Sequence, residues 1–172
     1  EAVDPAIRAQ LKVWAVEHAL DAIVSTDGDG DRPLMTDAAG TVIVGDVLGQ
    51  ITGAAVKAQI AVTPVSSNTG AESKFGKVIR TRIGSPYVIA GMEAVGGDVV
   101  GYEANGGFLL GFGARGPAGA LPPLMTRDAV LPLVAPLALA KEAGGLAALV
   151  ASEPARFTAA DRLQEVPTEV SM

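Results

Sequence analysis

An α/β fold is what this 172-residue sequence predicts. Short β-branched runs alternate along it with segments whose apolar residues recur every three or four positions. Asp-Pro and Ser-Pro pairs sit where two of the periodic segments begin. Taken in order, Asp4-Pro5 pairs an N-cap with a proline at the first helical position. Ile7, Leu11, Trp14 and Ala15 then form one apolar face of a helix running to about Leu20. Residues 22–26 are short and β-branched, as a buried strand would be. After a turn-rich loop at 27–32, residues 33–36 and 41–44 read as a hairpin around Asp37-Ala-Ala-Gly40. Asp46 is placed to cap a helix with Val47, Leu48, Ile51, Ala55 and Val56 on its apolar side. A strand at 60–65, a polar loop at 66–77 and a strand at 77–82 follow. Ser85-Pro86 opens a helix to about Val95, and strands at 98–102 and 108–112 flank a glycine-rich turn. Residues 114–123 are a loop by their Gly and Pro content. Residues 127–143 read as a helix that Pro136 kinks or interrupts. Gly144-Gly145 ends it, before a short helix at 146–151 and an extended tail from Glu153.

Composition excludes several classes of chemistry. Thirteen Lys+Arg against 19 Asp+Glu give a net charge of −6, which argues against a general nucleic-acid binder, since neutralising phosphates needs clustered cations. Cysteine is absent, which removes disulfides, thiolate metal sites and a cysteine nucleophile. His18 is the single histidine, so a multi-histidine metal site is excluded, and with no partner residue near it a surface histidine is expected. Chemistry is left to carboxylates, amides, hydroxyls and backbone. No stretch reaches bilayer-spanning length and no charged-then-apolar leader opens the chain, so a soluble, cytoplasmic, non-membrane protein is expected. A chain that opens on Glu1 is expected to be a processed or excised piece. Residues 1–44 hold too little to close a core, whereas 45–156 supports a compact unit of domain size. The chain therefore reads as the tail of one domain followed by the whole of the next.

The densest chemical signal is Asp27-Gly-Asp29-Gly-Asp31-Arg32, directly after a β-branched strand. Three carboxylates on alternate residues, spaced by glycines, can converge on one oxygen-lined cavity that repels itself unless a hard divalent cation is bound. A calcium EF-hand would need Gly at Arg32 and Glu at Ala38, and both fail. A haloacid-dehalogenase phosphatase would want Thr or Val where Asp31 stands. An octahedral Mg²⁺ site completed by a phosphate oxygen fits, with Arg32 placed to meet that phosphate bidentately. The alternative is a plain surface turn.

A second loop, Gly101-Tyr-Glu103-Ala-Asn105-Gly-Gly107-Phe, joins two of the expected strands. Glu103 and Asn105 can face one side there, a carboxylate beside an amide suited to a vicinal diol. The alternative is a hairpin turn with Asn105 and Gly106 at positive φ. Arg80, Arg82 and Ser85 precede a helix N-terminus, a natural anion site, although a solvated basic edge strand looks the same. Gly111-Phe-Gly113-Ala-Arg-Gly116 matches a dinucleotide fingerprint, but the prolines and glycine after it leave no helix to open, so that reading fails.

Together the two loops resemble the α-D-phosphohexomutases, the phosphomannomutase/phosphoglucomutase family. DGDGDR at 27–32 is similar to that family's magnesium loop, and GYEANGGF at 101–108 to its sugar-binding loop, usually written GE-x-SGH. The resemblance implies a mixed β-sheet packed with helices. It implies that residues 1–44 end a metal-binding second domain, that 45–156 form the sugar-binding third, and that 157–172 lead to a fourth. It implies Mg²⁺ held by Asp27, Asp29 and Asp31, phosphate contacts from Arg32, Arg82 and Ser85, and sugar hydroxyls gripped by Glu103 and Asn105. Gly107 stands where that loop has histidine and Asn105 where it has serine, so sugar selectivity differs accordingly. Neither a TASHNP-like serine segment nor an RxSGTEP-like phosphate clamp is present. The resemblance thus implies a piece of a longer enzyme that moves a phosphoryl group between a phosphoserine and a hexose 1- or 6-phosphate through a bisphosphate. This piece, lacking domains one and four, is expected to be inactive alone. A non-catalytic sugar- or metal-binding module is the competing class, and the flanking parts of the reading frame discriminate the two.

Overall fold

The computed structural model describes residues 5–159, so Asp4 and most of the expected linker at 157–172 lie outside the described residues. Helix α1 (Pro5–Glu17) precedes an antiparallel hairpin of β1 (Ile23–Thr26) and β2 (Pro33–Thr36). Helix α2 (Gly45–Ala55), β3 (Ile60–Pro64), the single turn α3 (Ala71–Lys74), β4 (Lys77–Thr81), α4 (Ser85–Val95) and β5 (Val99–Tyr102) follow. Then come β6 (Phe108–Leu110), a small hairpin of β7 (Ala114–Gly116) and β8 (Gly119–Leu121), β9 (Leu124–Asp128), α5 (Leu131–Ala143) and α6 (Leu146–Ala151). The central sheet runs β4-β3-β5-β6-β9. Strand β3 pairs parallel with β4 and β5, while β6 is antiparallel to both β5 and β9, so the sheet is mixed. The class expected from the sequence is the one observed.

Alternation along β5 sorts the core into two layers. Val100 and Tyr102 face α2 with Phe75, Phe108 and Leu110. Val99 faces α4 and packs with Val62, Val88, Met92 and Leu109. Helix α2 meets Tyr102 of β5 and Phe75 through Gly49 and Gly53, where no side chain would fit. A Cβ on Gly49 would stand 2.5 Å from the Tyr102 ring, and one on Gly53 2.6 Å from Phe75. A third cluster, with Met35, Ile43, Leu48, Ala140 and Leu146, joins the β1–β2 hairpin unit to α2, α5 and α6. That cluster positions the acidic loop relative to the sheet.

Several expectations are corrected. Strand β1 is not buried: Val24, Ser25 and Thr26 are exposed. On α1 only Leu11 and Ala15 are buried, whereas Ile7 and Trp14 face outward. The expected hairpin partner at 41–44 reduces to one bridge, Thr36 to Val42, because β2 pairs with β1 instead. Residues 71–74 of the polar loop form α3. The 114–123 loop contains the β7–β8 hairpin, since Pro117 suits a tight turn that brings Gly116 opposite Gly119. Arg127 and Asp128 belong to β9 rather than to α5. Pro136 does not interrupt α5. It is buried within that helix, and the apolar packing around it outweighs one missing amide hydrogen bond.

Candidate functional site

The hairpin register, Thr26 opposite Pro33, leaves residues 27–32 as its closing loop. Asp27 organises the loop: its Oδ1 accepts from the amides of Asp31 (3.2 Å) and Arg32 (3.1 Å). Gly30 closes the turn at φ +75°, a left-handed conformation that favours glycine. One carboxylate oxygen each from Asp27, Asp29 and Asp31 then lies within 4.8 Å of the others. Arg32 folds back over them, its Nε 2.8 Å from Asp27 Oδ2 and 3.4 Å from Asp31 Oδ1. Partial burial opposes the charge on Asp27. The Arg32 amide and guanidinium, with the Asp31 amide, more than offset it and hold the carboxyl below its ordinary value. Asp27 Oδ2 is covered from solvent yet has no well-directed hydrogen bond. A covered carboxylate oxygen whose one close partner is the Arg32 guanidinium, beside two more carboxylates, is a donor set that fits a hard, oxygen-seeking cation.

The 103–107 loop is pinned from three sides. The Gly106 amide donates to the Glu103 carbonyl at 2.9 Å, and the Gly107 amide to Asn105 Oδ1 at 3.0 Å. Asn105 Nδ2 sits 3.5 Å from Glu103 Oε2, so the two side chains do share one face. Only Gly106 has positive φ there (+93°); Asn105 does not. Although it lies in a turn between two strands, Glu103 is buried, at 6% exposed. The start of α2 and the start of β2 pack closely on its loop. A Cβ on Gly45 would stand 2.5 Å from the Ala104 carbonyl, and one on Gly106 2.7 Å from Pro33. Gly107 lies against the Asp31 carbonyl and the stem of Arg127. The two loops singled out from the sequence are therefore neighbours. Arg127, which sequence reasoning missed, ties them by an ion pair to Asp31 Oδ2. Nothing local marks it, since its partner is far along the chain.

Arg82 and Ser85 are placed differently. Strands β3, β4 and β5 are parallel, so the segments after them leave from one edge of the sheet, where open α/β sheets hold ligands. Among the described residues, no hydrogen bond or ion pair joins Arg82 or Ser85 to the acidic loop. The Arg82 guanidinium lies 5.8 Å above the Tyr87 ring, and Ser85 opens α4 behind Gly84. Arg80 is not an anion site. Its guanidinium is held by Glu72 (2.6 Å) and the carbonyls of Pro64, Ser67 and Asn68. His18 is exposed just past α1. The glycines at 111–116 lead into a hairpin rather than a helix.

Asp46 does not cap α2; Val44 stands at the N-cap. Its Oδ2 instead accepts from the Asn68 amide (3.0 Å), and Asn68 Oδ1 accepts from Gln50 Nε2 (2.8 Å). Among the described residues, Asp46 Oδ1 and the Tyr102 hydroxyl are buried and make no well-directed hydrogen bond. Burial pushes the Asp46 carboxyl above its ordinary value, against the pull of Asn68, Ser67 and Arg80. A folded-state value above the unfolded one means that protonation favours the fold. The penalty of the charged form is absent at low pH and develops as pH rises through the raised value. Asp46→Asn keeps an acceptor for Asn68 without the charge. It should therefore be the more stable chain at pH 7.5, by on the order of 1 kcal/mol. The advantage should shrink towards pH 4. Urea denaturation at both pH values checks this, and a variant less stable at pH 7.5 contradicts it.

Comparison with known proteins places the chain. The family model for phosphoglucomutase/phosphomannomutase, alpha/beta/alpha domain III, matches residues 36–157. The chain belongs to the phosphoglucomutase/phosphomannomutase family. It is 45% identical over 177 residues to a phosphomannomutase of Sinorhizobium fredii (strain NBRC 101917 / NGR234), covering 99% of this chain and 37% of that protein. It is 42% identical over 187 residues to a phosphomannomutase of Salmonella muenchen, covering 100% of this chain and again 37% of that protein. The chain thus spans a little over a third of the curated relatives it matches. A phosphoglucomutase/phosphomannomutase family protein from Burkholderia thailandensis shares the fold, with TM-score 0.64 and 18% identity over 88% of this chain and 32% of that one. For a member of this family, the two loops that carried the sequence resemblance are the two that the fold sets side by side. No helix among the described residues is long and apolar enough to cross a membrane.

Proposed function

We propose that this chain is the part of a longer, cytoplasmic phosphohexomutase that supplies its metal loop and its sugar loop. Residues 1–44 would end the metal-binding domain, 45–156 form the sugar-binding domain, and 157–172 lead onward. The observation that carries the reading is the juxtaposition of the acidic loop and the 103–107 loop, with Asp31 and Pro33 against Gly107 and Gly106. Asp27, Asp29 and Asp31 would hold Mg²⁺, which when bound supplies positive charge to a phosphoryl group in transfer. Arg32, now turned onto Asp27, carries the planar fork suited to a phosphate oxygen pair, and Arg82 and Ser85 would contact phosphate from the sheet edge. Glu103 accepts from sugar hydroxyls and Asn105 donates or accepts beside it, holding a hexose 1- or 6-phosphate between the loops. The phosphoserine and the remaining phosphate clamp would come from parts of the enzyme outside this chain. No mutase turnover is therefore expected from the chain alone.

The test is cation binding together with turnover. Mg²⁺ should bind the 172-residue chain no more tightly than roughly millimolar, since Mg²⁺ sheds water reluctantly and is usually completed by substrate phosphates. Asp29 is exposed, so Asp29→Asn should leave the melting temperature almost unchanged while weakening Mg²⁺ at least about tenfold. Calorimetry showing equal binding by both chains removes the metal role. Interconversion of hexose 1- and 6-phosphates by the pure chain removes the assignment as an incomplete enzyme.

A further inference from the structure

We propose that Arg127 is an internal counter-cation of the acidic loop, released from Asp31 by a bound divalent cation and then free to meet an anionic group of a ligand held between the two loops. This inference rests on the metal-and-phosphosugar reading above. Both oxygens of Asp31 are engaged: Oδ1 faces Arg32 Nε at 3.4 Å, and Oδ2 pairs with Arg127. Arg32 belongs to the acidic loop itself, but Arg127 arrives from β9 on the far side of the sheet partner β6. It reaches Asp31 by crossing Gly107. A Cβ at 107 would stand 3.1 Å from Arg127 Cδ and 3.2 Å from the Asp31 carbonyl, so the glycine leaves the track along which the arginine stem lies.

Two guanidiniums against three clustered carboxylates offset all but one of the negative charges. A cation that takes an oxygen from each carboxylate must draw Asp31 away from one of them. Among the described residues Arg127 is held by Asp31 alone, and its side chain is 29% exposed. Once released, its planar fork lies beside Gly107, next to Glu103 and Asn105, where a phosphate ester of a polyol would carry its charge. Arg127 thus makes cation and anion binding mutually reinforcing, a coupling that must act equally in both directions.

Mn²⁺ binding followed by electron paramagnetic resonance on the 172-residue chain, at low salt and with or without inorganic phosphate, tests it. Arg127→Gln, with the competitor gone, should bind Mn²⁺ about two- to fivefold more tightly than wild type without phosphate. Phosphate should tighten Mn²⁺ in wild type but not in Arg127→Gln, and Arg127→Lys should stay within about twofold of wild type. A purely structural arginine gives the opposite sign, since loosening the loop weakens the cation. Equal or weaker Mn²⁺ binding by Arg127→Gln overturns the proposal, as does the same phosphate effect in both chains. Asp31→Asn frees Arg127 without altering β9 and should raise metal-free phosphate binding; no rise also counts against it. If neither wild type nor Arg127→Gln binds Mn²⁺, the metal reading falls. Amide exchange over residues 27–32 in the metal-free chain then judges the tie: faster in Arg127→Gln if Arg127 holds the loop, unchanged if it does not.

Discussion

Glu103→Gln in the longer enzyme should lower kcat/KM by roughly 10- to 150-fold, with the melting temperature of the chain held or raised. The loss corresponds to one charge-assisted hydrogen bond of about 1.5–3 kcal/mol made to a sugar hydroxyl in the transition state. The stability side follows from burial. Glu103 is 6% exposed, and among the described residues its one side-chain hydrogen bond is the long one from Asn105 Nδ2 at 3.5 Å. With one long hydrogen bond to lose, the carboxylate contributes little to the fold, and an isosteric amide is cheaper to bury. Such a group is kept for something other than stability. Steady-state kinetics with hexose phosphates and thermal melts of the same variant give both readings. Full activity would end the sugar-binding role, and a large drop in melting temperature would assign Glu103 to the fold instead.

Gly106→Val should destabilise the chain by about 3 kcal/mol, which at this size lowers the melting temperature by about 10 °C. Two costs add. At φ +93° a β-branched residue is strained whatever the space around it. The new Cβ would also stand 2.7 Å from Pro33 Cγ, in a ring that cannot turn aside. Because Pro33 begins β2 and Gly106 closes the 103–107 loop, the clash separates the two loops as well as straining one. Gly106→Ala should fall between wild type and Gly106→Val in denaturant. A melting temperature unchanged in the valine variant would show that the loops are not held in register at this point.

Much of the candidate site was legible because its signals are local. Asp27, Asp29 and Asp31 converge through a six-residue turn whose glycines permit it, and Glu103 and Asn105 share a face two residues apart. Strands 60–64, 77–81 and 99–102 and the helices after Gly45 and Gly84 were legible for the same reason: a short period and a clear stop. Expectations failed where the deciding contact lay far away in sequence. Strand β1 has the composition of a buried strand but no layer over it among the described residues. Asp46 has the look of a cap and instead fastens Asn68, and Arg80 has the look of an anion site and instead holds Glu72.

By itself, then, the sequence determined the α/β class, the two loops and the residue types they carry, since each depends on neighbours a few positions apart. Only the tertiary structure decided that the loops meet, that Glu103 is buried and that Arg127 crosses Gly107 to reach Asp31. Those contacts join segments brought together by sheet order and by helix packing. Their free energy comes from burial of the surfaces between them, which no local pattern of residues records.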